Sequence, residues 1–393
     1  MTIGSAGQDS MCPVCNAEAP IDFYSTSLPA DIGMLCDSPE EARAAPTGQI
    51  DLCFCTQCEF IHNRSFDPEP LSFGPGYEVS LVHSPMFRTF IEGVAQRLIE
   101  RYDIRNKTVI EIGCGKGEFL TLLCEKGGNK GLGFDPSLSK EWEGPVGEGH
   151  IRLIVDYYDE RYADISAALI CSLSVFEDIQ RPIEFLTGVR SLIGARDTKF
   201  YLEVFNGARA LSTLSSWSIN YEQCNYWSQE SLVTAFRRSG YEVLDAGQCY
   251  GDGEYLYVEA VPAESLDTDV ALSSDPLPDV LERFAEHHAA VCKDWRNRLD
   301  AFTDDDSRVV VWGTGGKGIG FLNAMPSSAI GRVVDINPDR QNHFTPGSGH
   351  RIVGPESLIE YQPNVIILTN PLYADEIKSQ VGELDLKCQF LVA

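Results

Sequence analysis

The sequence predicts an α/β protein with two doubly wound units that follow a small cysteine-rich module. Three observations support this prediction. Apolar strand patterns alternate with amphipathic helix patterns in the order βαβαβαβ across the middle of the chain. A glycine-rich turn follows the first of these strands, and a second strand, glycine turn and helix appear near residue 310. Such alternation indicates parallel sheets that are covered by helices on both faces.

Length and charge restrict the class of protein. The 393 residues are enough for two or three domains, and we expect boundaries at 1–66, 67–265 and 266–393. The formal net charge of -27 opposes binding to nucleic acid or to an anionic membrane surface. The N-terminal segment has no charged leader, and no stretch approaches ~20 apolar residues, so we expect a cytoplasmic protein without a membrane span.

Paired cysteines mark the first domain. They form two C-x2-C pairs, which are Cys12, Cys15, Cys55 and Cys58. Four thiolates in this pattern are typical of a tetrahedral zinc site, and the metal would stabilise a module that is too poor in core residues to fold alone. We therefore predict a structural zinc ion, with Cys53 or Cys36 as alternative ligands. We interpret His62 as a surface or capping histidine.

The glycine-rich turn lies in the segment VIEIGCGKGEFL, residues 109–120. Its glycines let the backbone approach a ligand, and Asp135 at the end of the next strand can accept two ribose hydroxyls, which indicates a nucleoside. Glu111 would repel a pyrophosphate and suits a cation. This favours S-adenosylmethionine, because that cofactor has a sulfonium and an ammonium but no phosphate. The predicted cofactor-binding residues are Glu111, Gly113, Gly115, Gly117, Asp135, Asp156, Tyr157 and Ser174.

Other candidate residues lie at the ends of later strands. Asp156 and Tyr157 follow the third strand, where they could meet an adenine ring and its amine, although Asp156 could instead cap the next turn. Ser174 and Glu177 follow the fourth strand, at the edge where doubly wound sheets bind ligands.

Two loops should carry the remaining groups of the cleft. A loop rich in Tyr, Trp, Asn and Gln follows the fifth strand and should lie over the cofactor, unless it is only a packed aromatic lid. Its candidate residues are Tyr221, Glu222, Gln223, Asn225 and Tyr226. An earlier loop contains Tyr77, Glu78 and His83, either as cleft residues or as a solvated linker.

The end of the chain repeats the nucleotide-binding pattern. Residues 261–276 are rich in Asp and Ser and indicate a linker. The loop GTGGKGIG at 313–320 then follows a strand, and Asp335 ends the next strand. Gly315 and Lys317 in this loop form an anion cradle suited to a phosphate or a carboxylate. The loop lacks Walker spacing, which argues against nucleotide hydrolysis.

Taken in order, these motifs resemble the nucleotide-sugar C-methyltransferases of deoxysugar biosynthesis. The matching segments are the two cysteine pairs, Tyr77, EIGCGKGEFL with GFDPS, FEDI, NYEQCNYWSQESL, VVWGTGGKG, VVDINPDRQ and IVGPESL. The resemblance implies a zinc-binding module, a class I methyltransferase core with a Rossmann-like fold and a C-terminal Rossmann-like domain that binds substrate. It also implies S-adenosylmethionine-dependent methylation of a nucleotide-linked keto-sugar. The candidate substrate-binding residues are Glu177, Asn225, Tyr226, Gly315 and Lys317.

Two departures from this family concern the catalytic base. The family commonly has Y-E-H where this chain has Tyr221, Glu222 and Gln223, and its histidine is thought to be the base, whereas an amide cannot take a proton. The family also often has E-H-I at positions 177–179. We therefore predict that Glu222 or Tyr77 removes the α-proton. Tyr221 and Gln223 would donate hydrogen bonds to the developing oxyanion.

Other interpretations stay open at the level of sequence. The methyl acceptor could be a hydroxyl or an amine of a sugar or natural-product intermediate, which needs a weaker base. The chain could also bind the cofactor without transferring a methyl group, although the intact glycine turn argues against such decay. His343 or His350 could face the reacting methyl group from the last domain. We expect a monomer or a small homo-oligomer.

Overall fold

The computed structural model describes residues 11–71, 73–74, 76–263, 277–304 and 307–393. The segment in which the sequence shows no charged leader, 1–10, lies outside the described residues, as does most of the predicted linker, 264–276. Among the described helices, none combines the length and apolar character that a bilayer crossing requires.

Strands and helices alternate along most of the chain. The strands are β1 (Ile21–Pro29), β2 (Thr47–Phe54), β3 (Ile61–Asn63), β4 (Thr108–Ile112), β5 (Lys130–Phe134), β6 (Trp142–Val146), β7 (Gly149–Ile154), β8 (Leu169–Leu173), β9 (Lys199–Phe205), β10 (Asn225–Tyr226), β11 (Tyr241–Cys249), β12 (Tyr255–Pro262), β13 (Val309–Trp312), β14 (Ile330–Val334), β15 (Ile352–Val353), β16 (Val365–Leu368) and β17 (Gln389–Val392). The helices are α1 (Pro39–Arg43), α2 (Pro85–Tyr102), α3 (Glu118–Gly127), α4 (Pro182–Ile193), α5 (Gly207–Ser212), α6 (Gln229–Arg238), α7 (Asp279–Glu282), α8 (Phe284–Asp304), α9 (Gly316–Ala324), α10 (Leu358–Tyr361) and α11 (Ala374–Glu383).

The central sheet has eight strands in the order β11-β12-β9-β8-β4-β5-β7-β6. Strands β9, β8, β4, β5 and β7 are parallel, and the final hairpin β11–β12 joins antiparallel to β9. Side chains of β4 alternate between the two faces: Val109 packs with α2 and α3, whereas Ile110 and Ile112 pack with α4 and α6. This is the doubly wound class I methyltransferase fold that the resemblance implied.

One strand of this sheet was not predicted. Strand β6 pairs antiparallel with β7 at the edge, through a turn in which Gly147 has a φ of 54°. The sequence WEGPV contains no apolar alternation and includes Pro145, which an edge strand tolerates because its N–H groups face solvent. Hydrophobic periodicity therefore could not reveal it.

The N-terminal module contains an antiparallel sheet in the order β1-β2-β3-β10. Its last strand comes from the loop that follows β9, so the central domain contributes a strand to the module. The C-terminal domain has a parallel sheet in the order β15-β14-β13-β16-β17, and β13, β14, β16 and β17 match the strands expected from sequence. Helix α8 joins both units, because Phe284 packs in the module while Trp295 and Leu299 pack on the C-terminal sheet.

Glu78 connects the central and C-terminal domains. Its buried carboxylate accepts hydrogen bonds from Lys116 beside the glycine-rich turn and from Asn337 Nδ2 of the C-terminal domain at 2.8 Å. Lys116 also pairs with Asp339, and the buried Arg340 guanidinium donates to the carbonyls of Ile32 and Glu78. Polar contacts thus hold three parts of the chain around one cleft.

Asn129 stabilises the start of β5 with a buried side chain. Its amide Nδ2 donates to the carbonyls of Ile104 at 3.0 Å and Leu123 at 2.8 Å, while Oδ1 accepts from Lys107 N at 3.0 Å. The side chain therefore pairs the backbone groups that surround the helix ends and the first two parallel strands.

We expect Asn129→Ala to lower the free energy of unfolding by about 3 kcal/mol, because two buried carbonyls lose a side-chain donor. Chemical denaturation monitored by circular dichroism measures this change. Asn297→Ala on the exposed face of α8 is the matched control, for which we expect a change within about 0.5 kcal/mol. Equal effects of the two substitutions would contradict this role of Asn129.

Candidate active site and metal centre

A cleft of about 1380 Å³ lies where the carboxyl ends of the central and C-terminal sheets face each other. Its wall includes the glycine-rich turn after β4, the loop 76–84, the loop after β9 and the glycine loop before α9. Both predicted nucleotide-binding loops therefore open into one space. Such a position, outside the carboxyl ends of parallel strands, is where doubly wound sheets bind ligands.

Backbone geometry of the first turn leaves room for a ligand. Gly113 has a φ of 69°, and a Cβ at this position would lie 2.2 Å from Val175 Cγ2. Gly115 has a φ of 51°, yet a Cβ there would meet no atom within 4 Å, because its Cα faces the open cleft. Gly117 begins α3 as its N-cap residue. Glycine is therefore required at 113 by crowding and backbone conformation together.

Asp135 is held in the cleft wall by a short network. Its Oδ2 accepts from Gly115 N at 2.7 Å, and its Oδ1 accepts from Ser137 N at 2.8 Å and Ser137 Oγ at 2.6 Å. The carboxylate thus links the ends of β4 and β5 and lies beside the cleft. Its remaining acceptor capacity suits the hydroxyls of a ribose.

Glu111 has a structural partner. Its buried Oε2 accepts from Leu120 N at 3.0 Å, near the start of α3, and burial raises the pKa of the carboxyl well above its usual range. The side chain also lines the cleft. The sequence led us to expect a charged carboxylate that attracts a cation, whereas this environment favours the neutral carboxyl group.

Three further cofactor candidates also line the cleft. Tyr157 is 66% exposed, and Ser174 follows β8 with a φ of 51°. Asp156 is engaged by Arg161, whose Nη1 and Nη2 lie 2.6 and 2.7 Å from the carboxylate oxygens, and by the hydroxyl of Tyr162 at 2.9 Å. These contacts support the alternative interpretation, in which Asp156 stabilises the turn that follows it.

The half-buried Tyr77 and the buried Glu222 form a hydrogen-bonded pair in the cleft wall. Tyr77 Oη donates to Glu222 Oε2 at 2.8 Å, and the other carboxylate oxygen accepts from the backbone amides of Ile32 and Gly33. Burial raises the pKa of Glu222 to about 7 despite these hydrogen bonds. Burial, together with the nearby Glu222 carboxylate, raises the pKa of the Tyr77 phenol well above its usual range.

The loop after β9, which carries Glu222, places three of its predicted residues outside the cleft. Tyr221 donates its hydroxyl to Asp67 O at 2.8 Å and packs in the core of the N-terminal module. Asn225 Nδ2 donates to Ile179 O at 2.7 Å, and the hydroxyl of Tyr226 donates to Asn220 O at 3.1 Å. The expectation that all of these side chains face the cofactor is thus corrected. Tyr221 and Tyr226 pack in the core of the module, to which β10 is joined by pairing with β3, and Asn225 is bonded to the segment after β8.

An acidic group lies next to the Tyr77–Glu222 pair. Glu177, Asp178 and Gln223 line the cleft, and each has a buried side-chain oxygen without a hydrogen-bond donor among the described residues. Burial raises the pKa of Glu177 to about 7, and burial with the nearby Glu177 and Glu222 raises that of Asp178 well above its usual value. The sequence analysis treated Asp178 only as a departure from E-H-I. Its position after β8 could have indicated that it lies in the cleft.

The C-terminal loop repeats the contacts of the first. Thr314 N donates to Asp335 Oδ2 at 2.9 Å, and Asn337 N donates to Asp335 Oδ1 at 2.9 Å. Gly315 and Lys317 line the cleft as predicted residues of the anion cradle, but Lys317 Nζ is bonded to Glu254, which sequence reasoning missed. Glu254 lies in a β-hairpin turn, and no pattern in the local sequence indicates that this turn contacts the C-terminal domain.

The histidines are arranged differently from expectation. His83 lines the cleft, whereas His343 and His350 are not among the described residues that line it. His343 Nδ1 lies 3.1 Å from Asp37 Oδ1 and therefore beside the N-terminal module. Neither residue of the last domain is therefore positioned as the base.

The paired cysteines converge into one buried cluster. The sulfur atoms of Cys12, Cys15, Cys55 and Cys58 all lie within 4.8 Å of one another. Four sulfur ligands at this separation fit a tetrahedral zinc ion, whose Zn–S distances are about 2.3 Å. Of the alternative ligands, Cys53 contacts His62 Nε2 at 3.4 Å, and Cys36 lies in a backbone bridge with Phe344. His62 is buried rather than exposed, and burial lowers its pKa to about 4.

Comparisons with known proteins identify both large domains. Residues 85–246 match a family model described as a methyltransferase domain, and residues 273–393 match one described as a C-methyltransferase C-terminal domain. A search of curated proteins found no match.

Three similar solved structures each cover less than half of the chain. The magnesium protoporphyrin IX methyltransferase of Synechocystis PCC 6803 with bound SAH is 16% identical over 49% of this chain and 90% of its own, with a TM-score of 0.35. The PH0226 protein of Pyrococcus horikoshii OT3 is 16% identical over 47% of this chain and 94% of its own, with a TM-score of 0.36. The 1,6-didemethyltoxoflavin-N1-methyltransferase of Burkholderia thailandensis is 14% identical over 44% of this chain and 79% of its own, with a TM-score of 0.33.

The two family models lie on two different sheets of the structure, and the cleft is built between them. The methyltransferase model covers β4 to the start of β11, which includes the glycine-rich turn and Asp135. The chain is therefore an S-adenosylmethionine-dependent methyltransferase, with a C-terminal domain of the C-methyltransferase type.

Proposed function

We propose that the enzyme methylates a carbon atom of a small, nucleotide-linked keto-deoxysugar through an enolate. The observation that carries this proposal is the Tyr77–Glu222 pair, which places a buried carboxyl with a raised pKa in the cleft between the two large domains. Carbon methylation requires removal of an α-proton, and a base whose pKa lies near the working pH is suited to this step. The match to a C-methyltransferase C-terminal domain supports the same acceptor atom.

The central domain would hold S-adenosylmethionine along the glycine-rich turn. The open space at Gly115 and the fixed carboxylate of Asp135 fit a nucleoside whose ribose lies at the end of β5. Bound cofactor supplies an electrophilic methyl group on its sulfonium. Tyr157 and Ser174 complete the proposed wall of this half of the site.

The proton would move along the pair of side chains. Tyr77 Oη takes the α-proton of the keto-sugar while it passes its own proton to Glu222 Oε2, with which it is hydrogen-bonded. The net result is a neutral Glu222 and an enolate, whose carbon would be the nucleophile for the methyl group that a bound cofactor supplies. Gln223 lies in the same wall, and its side-chain amide is our candidate donor to the enolate oxygen. Tyr221 has no part in this proposal because its hydroxyl is bonded to Asp67.

Methylation of a hydroxyl or an amine is the second candidate. Gln223 favours it, because this residue replaces the histidine that the related C-methyltransferases are thought to use as a base, and an amide cannot take a proton. A heteroatom already carries the electron pair that attacks the methyl group, so its methylation depends less on a strong base.

The cysteine cluster is proposed to hold a structural zinc ion. Its sulfur atoms are buried in the N-terminal module, away from the residues that line the cleft. A module with one short helix and a small sheet gains folding energy from such an ion. The module in turn supplies Ile32 and Gly33, whose amides hold the Glu222 carboxylate.

We expect Asp135→Asn to weaken S-adenosylhomocysteine binding by about 10–100-fold, because a carboxylate that accepts ribose hydroxyls is replaced by an amide. Titration calorimetry measures the affinity. Asp159→Asn is the control, since Asp159 bonds to Arg161 and is not among the described residues that line the cleft. Unchanged affinity in the Asp135 variant would exclude the proposed ribose site.

Glu222→Gln should lower kcat for carbon methylation by about 10²–10⁴-fold while cofactor affinity stays unchanged, because the amide cannot accept the proton. In the unsubstituted enzyme, kcat should rise with pH through about 7 as Glu222 loses its proton, and this dependence should vanish in the variant. Mass spectrometry of the methylated product and of α-proton exchange in deuterium oxide measures both steps.

Glu230→Gln on the exposed first turn of α6 is the matched control for this substitution. An oxygen-linked or nitrogen-linked methyl group in the product would contradict carbon methylation and support methylation of a hydroxyl or an amine. Full activity of the Glu222 variant on a carbon acceptor would remove Glu222 as the base.

Removal of zinc should unfold the N-terminal module and lower the melting temperature. We expect about one zinc ion per chain by mass spectrometry of the metal, and its loss in Cys12→Ser or Cys58→Ser. Cys53→Ala is the matched control and should keep the ion, because the Cys53 sulfur contacts His62 rather than the cluster. A purified chain that is folded without metal would contradict this proposal.

A further inference from the structure

Among the described residues that line the cleft, carboxyl side chains outnumber the cationic ones, and the cations are already engaged. Among the described lining residues, Lys116, Arg340 and Lys317 carry a permanent positive charge. Lys116 pairs with Glu78 and Asp339, and Arg340 donates to backbone carbonyls. Cationic donors bind a diphosphate most strongly, and an anionic substrate that uses one of these side chains has to replace its existing partner.

Lys317 has the simplest set of partners. Its Nζ is bonded to Glu254 Oε1, and both side chains of this ion pair are 15% exposed. The same Glu254 oxygen accepts from Asn370 Nδ2 at 3.3 Å. The ammonium of Lys317 and the amide of Asn370 therefore converge on one anionic oxygen at the edge of the glycine loop.

Glu254 reaches this position from the central domain. It ends the turn between β11 and β12, where its amide donates to Tyr250 O at 3.0 Å and its carbonyl accepts from Asn206 N at 3.0 Å. The backbone of Glu254 is thus fixed, while its side chain crosses to the C-terminal domain. Rotation of that side chain alone would free Lys317 and Asn370.

A phosphate oxygen makes the same hydrogen bonds as this carboxylate oxygen. Lys317 lies in the first turn of α9, whose N-cap residue Gly315 provides no side-chain hydrogen bond to the helix. Two donors from side chains and the open glycine loop therefore surround an anion that the chain itself supplies.

We propose that Glu254 occupies the diphosphate subsite of the enzyme and is displaced when a diphosphate binds, so that Lys317 exchanges a carboxylate for a phosphate. This inference rests on the proposed nucleotide-linked substrate and deepens it. Because Glu254 and Lys317 belong to different domains, the exchange breaks a link across the cleft at the moment the substrate enters. Glu254 thereby selects for highly charged ligands, since a weak anion does not compete with a tethered carboxylate.

The test is titration calorimetry of the full chain, saturated with S-adenosylhomocysteine, using inorganic pyrophosphate, uridine diphosphate, thymidine diphosphate and the two nucleosides. Glu254→Gln should bind the three diphosphates about 10-fold more tightly than the unsubstituted enzyme, because a repelling charge is removed and Lys317 is released. Lys317→Met should bind them at least about 10-fold more weakly. The double variant should lose the gain of Glu254→Gln.

Glu376→Gln is the matched control. Glu376 lines the same cleft and also bridges the domains, but its Oε2 accepts from Ser84 Oγ at 2.8 Å and Met86 N at 3.2 Å rather than from a cation. Its substitution should change diphosphate affinity less than about 2-fold. An equal gain in both glutamine variants would show a general effect of charge and would overturn the assignment to Glu254.

The outcomes separate this inference from the proposed function. Pyrophosphate binding without nucleoside binding would support the subsite and assign the contact to the diphosphate alone. Unchanged or weaker diphosphate binding in Glu254→Gln would overturn the inference, while measurable binding to the unsubstituted enzyme would leave the nucleotide-linked substrate in place. Absence of diphosphate binding in every variant would overturn both, although binding of S-adenosylhomocysteine would still report an intact cofactor site.

Discussion

The buried carboxylate of Glu78 is the contact on which the closed arrangement of the domains depends. Burial raises its pKa, but the hydrogen bonds from Lys116, Ser80 N and Asn337 together lower the pKa by more, so the net pKa falls below the ordinary value. The charged form is therefore the stable one. It holds the cofactor turn of the central domain against the C-terminal domain, and the cleft exists because these two loops are kept opposite each other.

Glu222 shows how the same residue type acquires the opposite property a short distance away. It is as deeply buried as Glu78, but it accepts hydrogen bonds from neutral donors and forms no ion pair with a described residue. Desolvation then dominates and raises its pKa to about 7. One buried carboxylate thus serves as a permanent link between domains, whereas the other is suited to exchange protons.

The cofactor half of the site follows from local sequence to a large extent. Strand β4, its glycine-rich turn and Asp135 are close in the chain, and their spacing alone predicts the loop that the structure contains. Glu111 is the exception, because the sequence could not reveal that Leu120 N would take up its carboxylate. The half of the site that binds the methyl acceptor was harder to predict from sequence. Tyr221, Asn225 and Tyr226 were assigned to the cleft by their position after a strand, but their side chains lie outside the cleft.

The sequence by itself predicted most of the parallel strands of the two large sheets, the two glycine loops and the cysteine cluster, because each depends on periodicity or spacing within a short segment. The resemblance that these segments carry implied the methyltransferase fold. Only the tertiary structure decided which side chains share a surface. The pairing of β10 with β3, the contact of Tyr77 with Glu222 and that of Glu254 with Lys317 join residues from separate parts of the chain. Burial and charge at such contacts depend on the packed arrangement, which no local pattern encodes.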